Sequence, residues 1–144
     1  MKAEMDDGCS DKVEIPTSVT DSMQDYLYAI SEIAGEKGSV RAVDIAKRMN
    51  FSKPSVHNMI RQLESGGYIV ITGEKRIVLT RSGTSVAEQL GRRVAYFARK
   101  LVDAGVRETT AQREAILMSH GLSENSYQAL VKYERGPRKN ANKS

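Results

Sequence analysis

One side of a short segment carries polar side chains that can hydrogen-bond to nucleic acid, and the opposite side is apolar. The apolar stripe is spaced i, i+3, i+4, i+7, as on one face of a helix, and consists of Val56, Met59, Ile60 and Leu63. Asparagine can form two hydrogen bonds with adenine and arginine two with guanine, whereas serine and lysine more often contact phosphate or sugar. These residue types are typical of a helix that binds in the major groove of DNA. The polar face is formed by Lys53, Ser55, His57, Asn58 and Arg61.

A second apolar stripe precedes the first and predicts a helix-turn-helix. It has the same spacing and consists of Ala42, Ile45, Ala46 and Met49. Residues 50–54 interrupt the pattern, so two short helices must turn sharply within about residues 40–65 and pack on a shared core. Ser52 can cap the second helix, and Pro54 falls in its first turn, where a missing N–H is tolerated.

A β-hairpin is predicted directly after the second helix. Gly66-Gly67 ends that helix, and two β-rich runs, 68–72 and 75–80, flank a two-residue turn at Gly73-Glu74. The order helix, turn, helix, hairpin is that of a winged helix, a DNA-binding module. In the hairpin we expect a buried face of Ile69, Ile71, Ile77 and Leu79, with Val70 and Val78 on the other face.

The winged helix adds further positions that can contact DNA. Lys75 and Arg76 lie at the wing tip, where they can contact the DNA backbone or the minor groove. Arg41 lies at the start of the first helix of the helix-turn-helix. The alternative, that these are ordinary solvated side chains, stays open. The predicted DNA-binding residues are Arg41, Ser52, Lys53, Pro54, Ser55, His57, Asn58, Arg61, Lys75 and Arg76.

Helices are also predicted on both sides of this module. The first runs from Thr20 or Asp21 to Ala34, ends at Gly35 and Gly38, and carries the stripe Met23, Leu27, Ile30 and Ala34. A long helix capped by Thr80 extends to about Val102, and Gly105 breaks the pattern. Two shorter helices follow, over about 109–120 and from Ser123. Leu122 and Tyr127 form a hydrophobic staple around a Ser123 cap.

The fold class is therefore mainly α, an N-terminal winged helix-turn-helix with a small β-hairpin wing followed by a helical dimerisation region. We expect a disordered arm at 1–19, the winged helix at 20–82, the dimerisation region at 83–134 and a flexible basic tail at 135–144. The last helices are too small for a core of their own, so we expect them to pack on the long helix and on a second chain.

Charge is concentrated in the predicted DNA-binding module. The whole chain has a net charge of +4, but residues 37–81 carry nine Lys or Arg against three acidic residues, a net charge of +6. This excess suits a polyanionic partner.

Other classes of protein find little support. The single cysteine, Cys9, excludes an intramolecular disulfide and a cysteine-based zinc cluster within one chain. No signal peptide or membrane span is recognisable, so we expect a cytoplasmic protein without a membrane partner. There is no phosphate-binding loop, His-Glu-x-x-His motif or paired nucleophile and base, so we do not expect an enzyme.

The chain resembles the diphtheria toxin repressor and manganese transport regulator family, most strongly over 23–90. The resemblance implies a homodimer that binds a palindromic operator in double-stranded DNA and represses transcription under the control of a divalent metal, with the size of the manganese-type members. It is carried by Met23 to Ile30 with its Asp25-Tyr26-Leu27 core, Val43-Asp44-Ile45-Ala46, Ser52-Lys53-Pro54-Ser55-Val56, Leu63 to Ile69, and Leu79-Thr80-Arg81-Ser82-Gly83.

The resemblance also implies where Mn²⁺ or Fe²⁺ would bind, namely to side chains of the first helix, the long helix and the helix after it. Asp25 matches the first carboxylate and His120 the last ligand, and these two are the predicted metal residues. Glu114, Glu124 or backbone carbonyls could supply further donors, and the alternative of no metal stays open. The positions that depart from the ligand pattern are Tyr28, Val94, Ile116 and Ser119.

Two other functions remain open from the sequence. A winged helix can bind an acidic protein instead of DNA, and a winged-helix regulator can sense a small organic ligand without a metal. Steep salt dependence of binding to duplex DNA separates the first alternative from a DNA-binding regulator, and metal titration of DNA binding separates the second.

Overall fold

The computed structural model describes residues 18–143, with side chains described for residues 18–136. Residues 1–17 of the predicted arm, including Cys9, therefore lie outside the described residues. This part of the chain divides into two compact units at Arg92/Arg93, and the predicted domain limits remain a prediction. The described elements are α1 (Asp21–Lys37), α2 (Ala42–Met49), α3 (Lys53–Ser65), β1 (Ile69–Ile71), β2 (Ile77–Leu79), α4 (Arg81–Asp103), α5 (Glu108–His120) and α6 (Glu124–Lys143). The mainly helical class with a hairpin after the helix-turn-helix is confirmed.

Helix α1 supplies much of the core of the first unit. The Thr20 hydroxyl accepts a hydrogen bond from the Met23 N–H at 3.1 Å, which confirms the predicted N-cap. The helix continues through Gly35 and ends at Gly38, whose φ of 85° is a left-handed conformation that favours glycine. Gly35 was wrongly predicted as part of the helix end. At the end of the predicted stripe, Ala34 is exposed, and Ile33 is buried instead.

One residue of the predicted arm belongs to this core. Val19 is buried, 5% exposed, in the same apolar cluster as Leu27 and Ile30. Its carbonyl oxygen also accepts a hydrogen bond from the Gln24 side-chain amide at 3.5 Å.

The helix-turn-helix forms as the two stripes predict. Asn50 ends α2 at a φ of 58°, a left-handed conformation that asparagine tolerates well. The Ser52 hydroxyl accepts a hydrogen bond from the Ser55 N–H at 3.3 Å, and Pro54 lies in the first turn of α3. Val56, Ile60 and Leu63 are buried in the core.

The hairpin has the predicted strand pairing but a different turn. Ile69 pairs with Leu79 and Ile71 with Ile77. The Lys75 N–H bonds to the Thr72 carbonyl, the Thr72 N–H bonds to the Arg76 carbonyl, and Lys75 has a φ of 63°. This is a three-residue loop with a left-handed third residue, so the two-residue turn was wrong. Ile71 was wrongly placed on the buried face, because it is 36% exposed.

The Leu79-Thr80-Arg81-Ser82-Gly83 segment joins the hairpin to α4. The Thr80 hydroxyl donates to the Gly67 carbonyl at 2.7 Å and accepts from the Gly83 N–H at 3.2 Å. The Thr80 N–H donates to the Tyr68 carbonyl at 3.0 Å. One threonine therefore caps α4 and fixes the base of the hairpin to it.

The second unit contains the rest of α4 with α5 and α6. Gly105, at a φ of 103°, ends α4 in a Schellman arrangement, in which the Val106 N–H bonds to the Leu101 carbonyl. The Ser123 hydroxyl accepts from the Ser126 N–H at 3.1 Å, which confirms the predicted cap of α6. The buried residues of the second unit are Val94, Phe97, Ala98, Ala111, Ala115, Ser119 and Tyr127.

Helix α6 continues to Lys143, across the segment predicted as a flexible tail. The backbone of residues 135–143 is thus helical, and its flexibility remains a prediction. Among the described residues, none of the helices has the length and apolar character needed to cross a membrane.

Candidate nucleic-acid interface

Helix α3 presents its predicted polar face outward. The side chains of Lys53, Ser55, His57, Asn58 and Arg61 belong to exposed residues, whereas the opposite stripe is buried. The Arg61 guanidinium lies 3.5 Å from the Asn58 Oδ1, so the two groups best suited to base edges are neighbours one turn apart. Ser52 and Pro54 are also exposed, at the N-terminal end of the same helix.

A groove of about 520 Å³ lies between the start of α2, helix α3 and the hairpin, and it brings together four of the predicted residues. Its lining is mostly apolar and includes Val43, Val56 and Ile71. The cationic or basic side chains at this groove are those of Arg41, Lys53, His57 and Lys75.

Some basic residues of the first unit pair with a carboxylate and others do not. Lys37 pairs with Asp44 at 2.7 Å, and Arg48 pairs with Glu36 at 2.5 Å and with Glu32 at 3.6 Å. These cations are neutralised within the chain. Among the described residues, by contrast, no carboxylate forms an ion pair with Arg41, Lys53, Arg61 or Lys75.

The Asp44 carboxylate has a structural role at the start of α2. It accepts hydrogen bonds from the Lys37 ammonium at 2.7 Å and from the Arg41 N–H at 2.9 Å. Both interactions favour the ionised form and lower the pKa of Asp44 from its ordinary value of 3.8. Arg41 is thereby fixed at the edge of the groove by its backbone, while its side chain stays exposed.

The two predicted wing residues differ. Lys75 is exposed at the loop tip. Arg76 is half-buried: its guanidinium donates to the Ser39 hydroxyl at 2.6 Å and lies 3.6 Å from the Glu74 carboxylate. Arg76 therefore ties the hairpin to the segment before α2, a role that the sequence did not suggest.

The positions that the resemblance assigns to a metal carry few anionic donors. Asp25 is half-buried on α1, in the first unit, and His120 is the half-buried last residue of α5, in the second. Val94 is buried, Ile116 is half-buried, and the Ser119 hydroxyl donates to the Ala115 carbonyl at 2.7 Å. Among the side chains that the structure describes, no group of three or more His, Cys, Asp or Glu could hold a metal ion.

Tyr28, which stands where the resemblance places a carboxylate, is a neutral phenol at physiological pH. Burial and a hydrogen bond to the neighbouring Glu32 carboxylate raise the pKa of Tyr28 to about 12.

The second unit contains a polar cluster around Arg93 that was not predicted from the sequence. Arg93 donates to the Ser119 carbonyl at 2.7 Å and the Leu122 carbonyl at 2.6 Å, and to the Glu124 carboxylate at 3.0 Å. Its guanidinium also lies 5.2 Å from the centre of the Tyr127 ring. Since two of its partners are backbone carbonyls, no residue pattern could have revealed the cluster.

The chain is similar to known transcriptional regulators. The family model described as "Iron dependent repressor, N-terminal DNA binding domain" matches residues 18–77. The transcriptional regulator MntR of Salmonella typhimurium is 31% identical over 111 residues, which cover 77% of this chain and 71% of that protein. The HTH-type transcriptional regulator MntR of Geobacillus kaustophilus is 32% identical over 107 residues, which cover 74% of this chain and 76% of that protein.

Solved structures agree with these relatives. The crystal structure of T. acidophilum IdeR has a TM-score of 0.66 at 27% identity, covering 76% of this chain and 52% of that chain. A manganese-dependent transcriptional repressor in complex with manganese has a TM-score of 0.67 at 28% identity, and the match covers 79% of this chain and 52% of that chain. The chain thus spans about half the length of these two structures. On the similarity to the MntR proteins and the match to the repressor family model, the chain belongs to the diphtheria toxin repressor and manganese transport regulator family of DNA-binding transcriptional regulators.

Proposed function

We propose that this chain represses transcription as a homodimer, with the exposed face of α3 in the major groove of a palindromic operator. The observation that carries the proposal is the polar face itself: Lys53, Ser55, His57, Asn58 and Arg61 are all exposed opposite a buried apolar stripe. A solvent-facing helix of this composition, anchored by its apolar side, has the form that direct base readout requires.

Within this face we assign base contacts to Asn58 and Arg61. Their side chains lie 3.5 Å apart, so they can address adjacent base pairs from one helical turn. Asparagine has both the donor and the acceptor that adenine presents in the major groove, and arginine has the paired donors that fit guanine. Ser52 and Ser55, at the N-terminal end of α3, are suited to sugar and phosphate.

The cations around the groove are assigned to phosphate contacts. Arg41, Lys53 and Lys75 surround it and form no ion pair with a carboxylate of the described residues. A cation without an internal partner is available to replace counterions on the DNA backbone, and each such contact steepens the salt dependence of binding. We assign Arg76 to the fold of the wing instead.

The second unit is proposed to join two copies of the chain. Its core is small, and several large apolar side chains remain on its surface. Leu117 is 68% and Tyr133 is 71% exposed, and contact with a second copy of the chain would remove their apolar surface from water. A symmetric dimer would place two α3 helices on successive turns of the same DNA face, about 34–36 Å apart.

The manganese or iron that the resemblance implies does not fit the residues of this chain that the structure describes. One of the matched structures is described as a manganese-dependent transcriptional repressor in complex with manganese. Manganese and iron prefer carboxylate, imidazole and water ligands. Asp25 and His120 supply one carboxylate and one imidazole, whereas Tyr28, Val94, Ile116 and Ser119 supply neither. No group of three or more such donors lies together among the described residues, so we assign no step of the mechanism to a metal.

Selection from random duplex DNA, followed by footprinting of the selected sequences, tests the proposal. We expect an inverted repeat, protection of two half-sites on one face of the duplex, and a complex that contains two chains by analytical ultracentrifugation. Enrichment of no sequence at low salt, or a complex with one chain on a single half-site, would contradict it.

A further inference from the structure

The strongest unexplained feature of the second unit is the buried cation of Arg93. Its side chain is 11% exposed, and that of its partner Glu124 is 18% exposed. Hydrogen bonds link it to the Ser119 and Leu122 carbonyls, near the C-terminal end of α5, and to the first turn of α6. One positive charge on α4 thus holds together the ends of two other helices.

A cation is favoured at this place by the backbone. The carbonyl groups at a helix C-terminus carry partial negative charge, and the Ser119 carbonyl lies in the last turn of α5. The Tyr127 ring, 5.2 Å from the guanidinium, adds attraction by its negative face. A positively charged group is therefore built into the chain where oxygen atoms converge.

Arg93 also occupies donors that a metal would need. Glu124 Oε1 accepts from Arg93, and Glu124 Oε2 accepts from the Gln128 amide at 2.7 Å. The carbonyls of Ser119 and Leu122 are used by the same guanidinium. These are the groups that could have compensated for the ligand positions lost at Val94 and Ile116.

The positive charge of the Arg93 guanidinium disfavours the binding of a divalent metal ion close to it. A divalent ion bound beside Ser119 would lie within a few ångströms of a permanent positive charge in a partly buried site, where screening by water is weak.

We infer that the internal Arg93 cation takes the role of a bound metal in ordering the second unit, so operator binding by this chain does not depend on a divalent metal. The inference rests on the proposed operator binding and concerns its regulation. A family member built in this way would bind its operator equally in metal-depleted and metal-rich conditions.

The first test measures the affinity of the full chain for a duplex selected from random DNA. Selection is carried out in parallel with a chelator and with Mn²⁺, and binding is followed by fluorescence anisotropy with chelator, Mn²⁺, Fe²⁺ or Zn²⁺. We expect the dissociation constants to agree within about twofold, whereas allosteric activation typically changes affinity by roughly 5- to 150-fold. Tighter binding by fivefold or more with any of these ions overturns the inference but leaves operator binding intact. Absence of specific binding in every condition overturns both.

The second test concerns Arg93 itself. Arg93→Gln removes the charge, and Glu124→Gln keeps a similar shape while removing the ion pair. We expect each variant to lower the Tm of the chain and weaken its self-association, by about 5–15 °C for Arg93→Gln, in chelator and Mn²⁺ alike. The matched control is Arg99→Gln, an exposed arginine of the same helix, which should change neither. An Arg93→Gln variant with unchanged Tm and self-association contradicts the assigned role, as does a wild-type Tm that rises with Mn²⁺.

Discussion

The carbonyl oxygen of Tyr68 occupies the space that a side chain at Gly83 would need, since a Cβ atom placed there would overlap it. The hairpin therefore packs backbone to backbone on the first turn of α4. This contact gives a physical reason for the glycine in the Leu79-Thr80-Arg81-Ser82-Gly83 segment, where Thr80 forms the accompanying hydrogen bonds.

Gly83→Ala should destabilise the first unit. The added methyl group meets backbone that cannot move without shifting the wing, and overpacking of this kind costs about 1–3 kcal/mol or more. Gly91→Ala in the same helix is the control: its Cβ would lie 3.4 Å from the Tyr28 ring, an ordinary contact, and alanine favours helix by up to about 1 kcal/mol. Denaturant unfolding measures both, and equal effects of the two substitutions would argue against the packing described.

Asp44→Asn should lower stability at neutral pH but have less effect in acid. Because the pKa of Asp44 is lowered in the folded chain, the stability it contributes is present above its ordinary pKa and is lost as the pH falls below about 4. Lys37 is 57% exposed, so we expect only about 0.5–1 kcal/mol at pH 7. Urea unfolding of both proteins across this pH range checks the prediction. A difference that stays constant down to pH 2 would exclude a contribution from the ionised carboxylate.

Tyr28 should be among the last tyrosines of the chain to ionise. Its raised pKa means that the stability associated with the neutral phenol is present below pH 10 and is lost as the pH rises toward about 12. In an alkaline titration followed by phenolate absorbance, Tyr28→Phe should remove a component near the upper end, and Glu32→Gln should move that component to lower pH. Identical titration curves for the wild type and both variants would contradict the assigned hydrogen bond.

Substitution of the two wing cations should have different consequences. Lys75→Ala should weaken binding to all duplexes and reduce the slope of log affinity against log salt by about one, as expected for one phosphate contact. Arg76→Ala should mainly lower the free energy of unfolding, because the guanidinium holds Ser39. Salt titration and urea unfolding of both variants separate the two roles. A reduced salt slope for Arg76→Ala with unchanged stability would reverse the assignment.

The features predicted correctly from sequence are those that neighbouring residues specify. The caps at Thr20, Ser52 and Ser123 and the spacing of Val56, Ile60 and Leu63 are local, so α1, α3 and α6 begin where expected. The predicted two-residue turn of the hairpin was wrong because the left-handed residue of the loop is Lys75, not a glycine. The Thr72 hydroxyl stabilises the loop by accepting hydrogen bonds from the Glu74 and Arg76 N–H groups.

Contacts between residues far apart in the sequence could not be predicted in this way. Arg93 is separated by 26 to 31 residues from its partners, two of which are carbonyl groups that any residue could supply. The Arg76 bond to Ser39 spans 37 residues in the same way. The sequence placed Arg76 at the wing tip and gave no prediction for Arg93, whereas packing buries Arg93 largely and Arg76 partly.

The assignment of α3 as the base-reading helix is tested most directly by the ratio of specific to non-specific DNA affinity in Asn58→Ala and Arg61→Ala. Each substitution should cost about 1–3 kcal/mol on the selected operator and leave the affinity for unrelated duplex nearly unchanged, so that the ratio falls by roughly 5- to 150-fold. Arg99→Ala, on the second unit, serves as the control and should leave the ratio unaltered. Equal losses of affinity on operator and unrelated duplex would show that this helix does not read the bases.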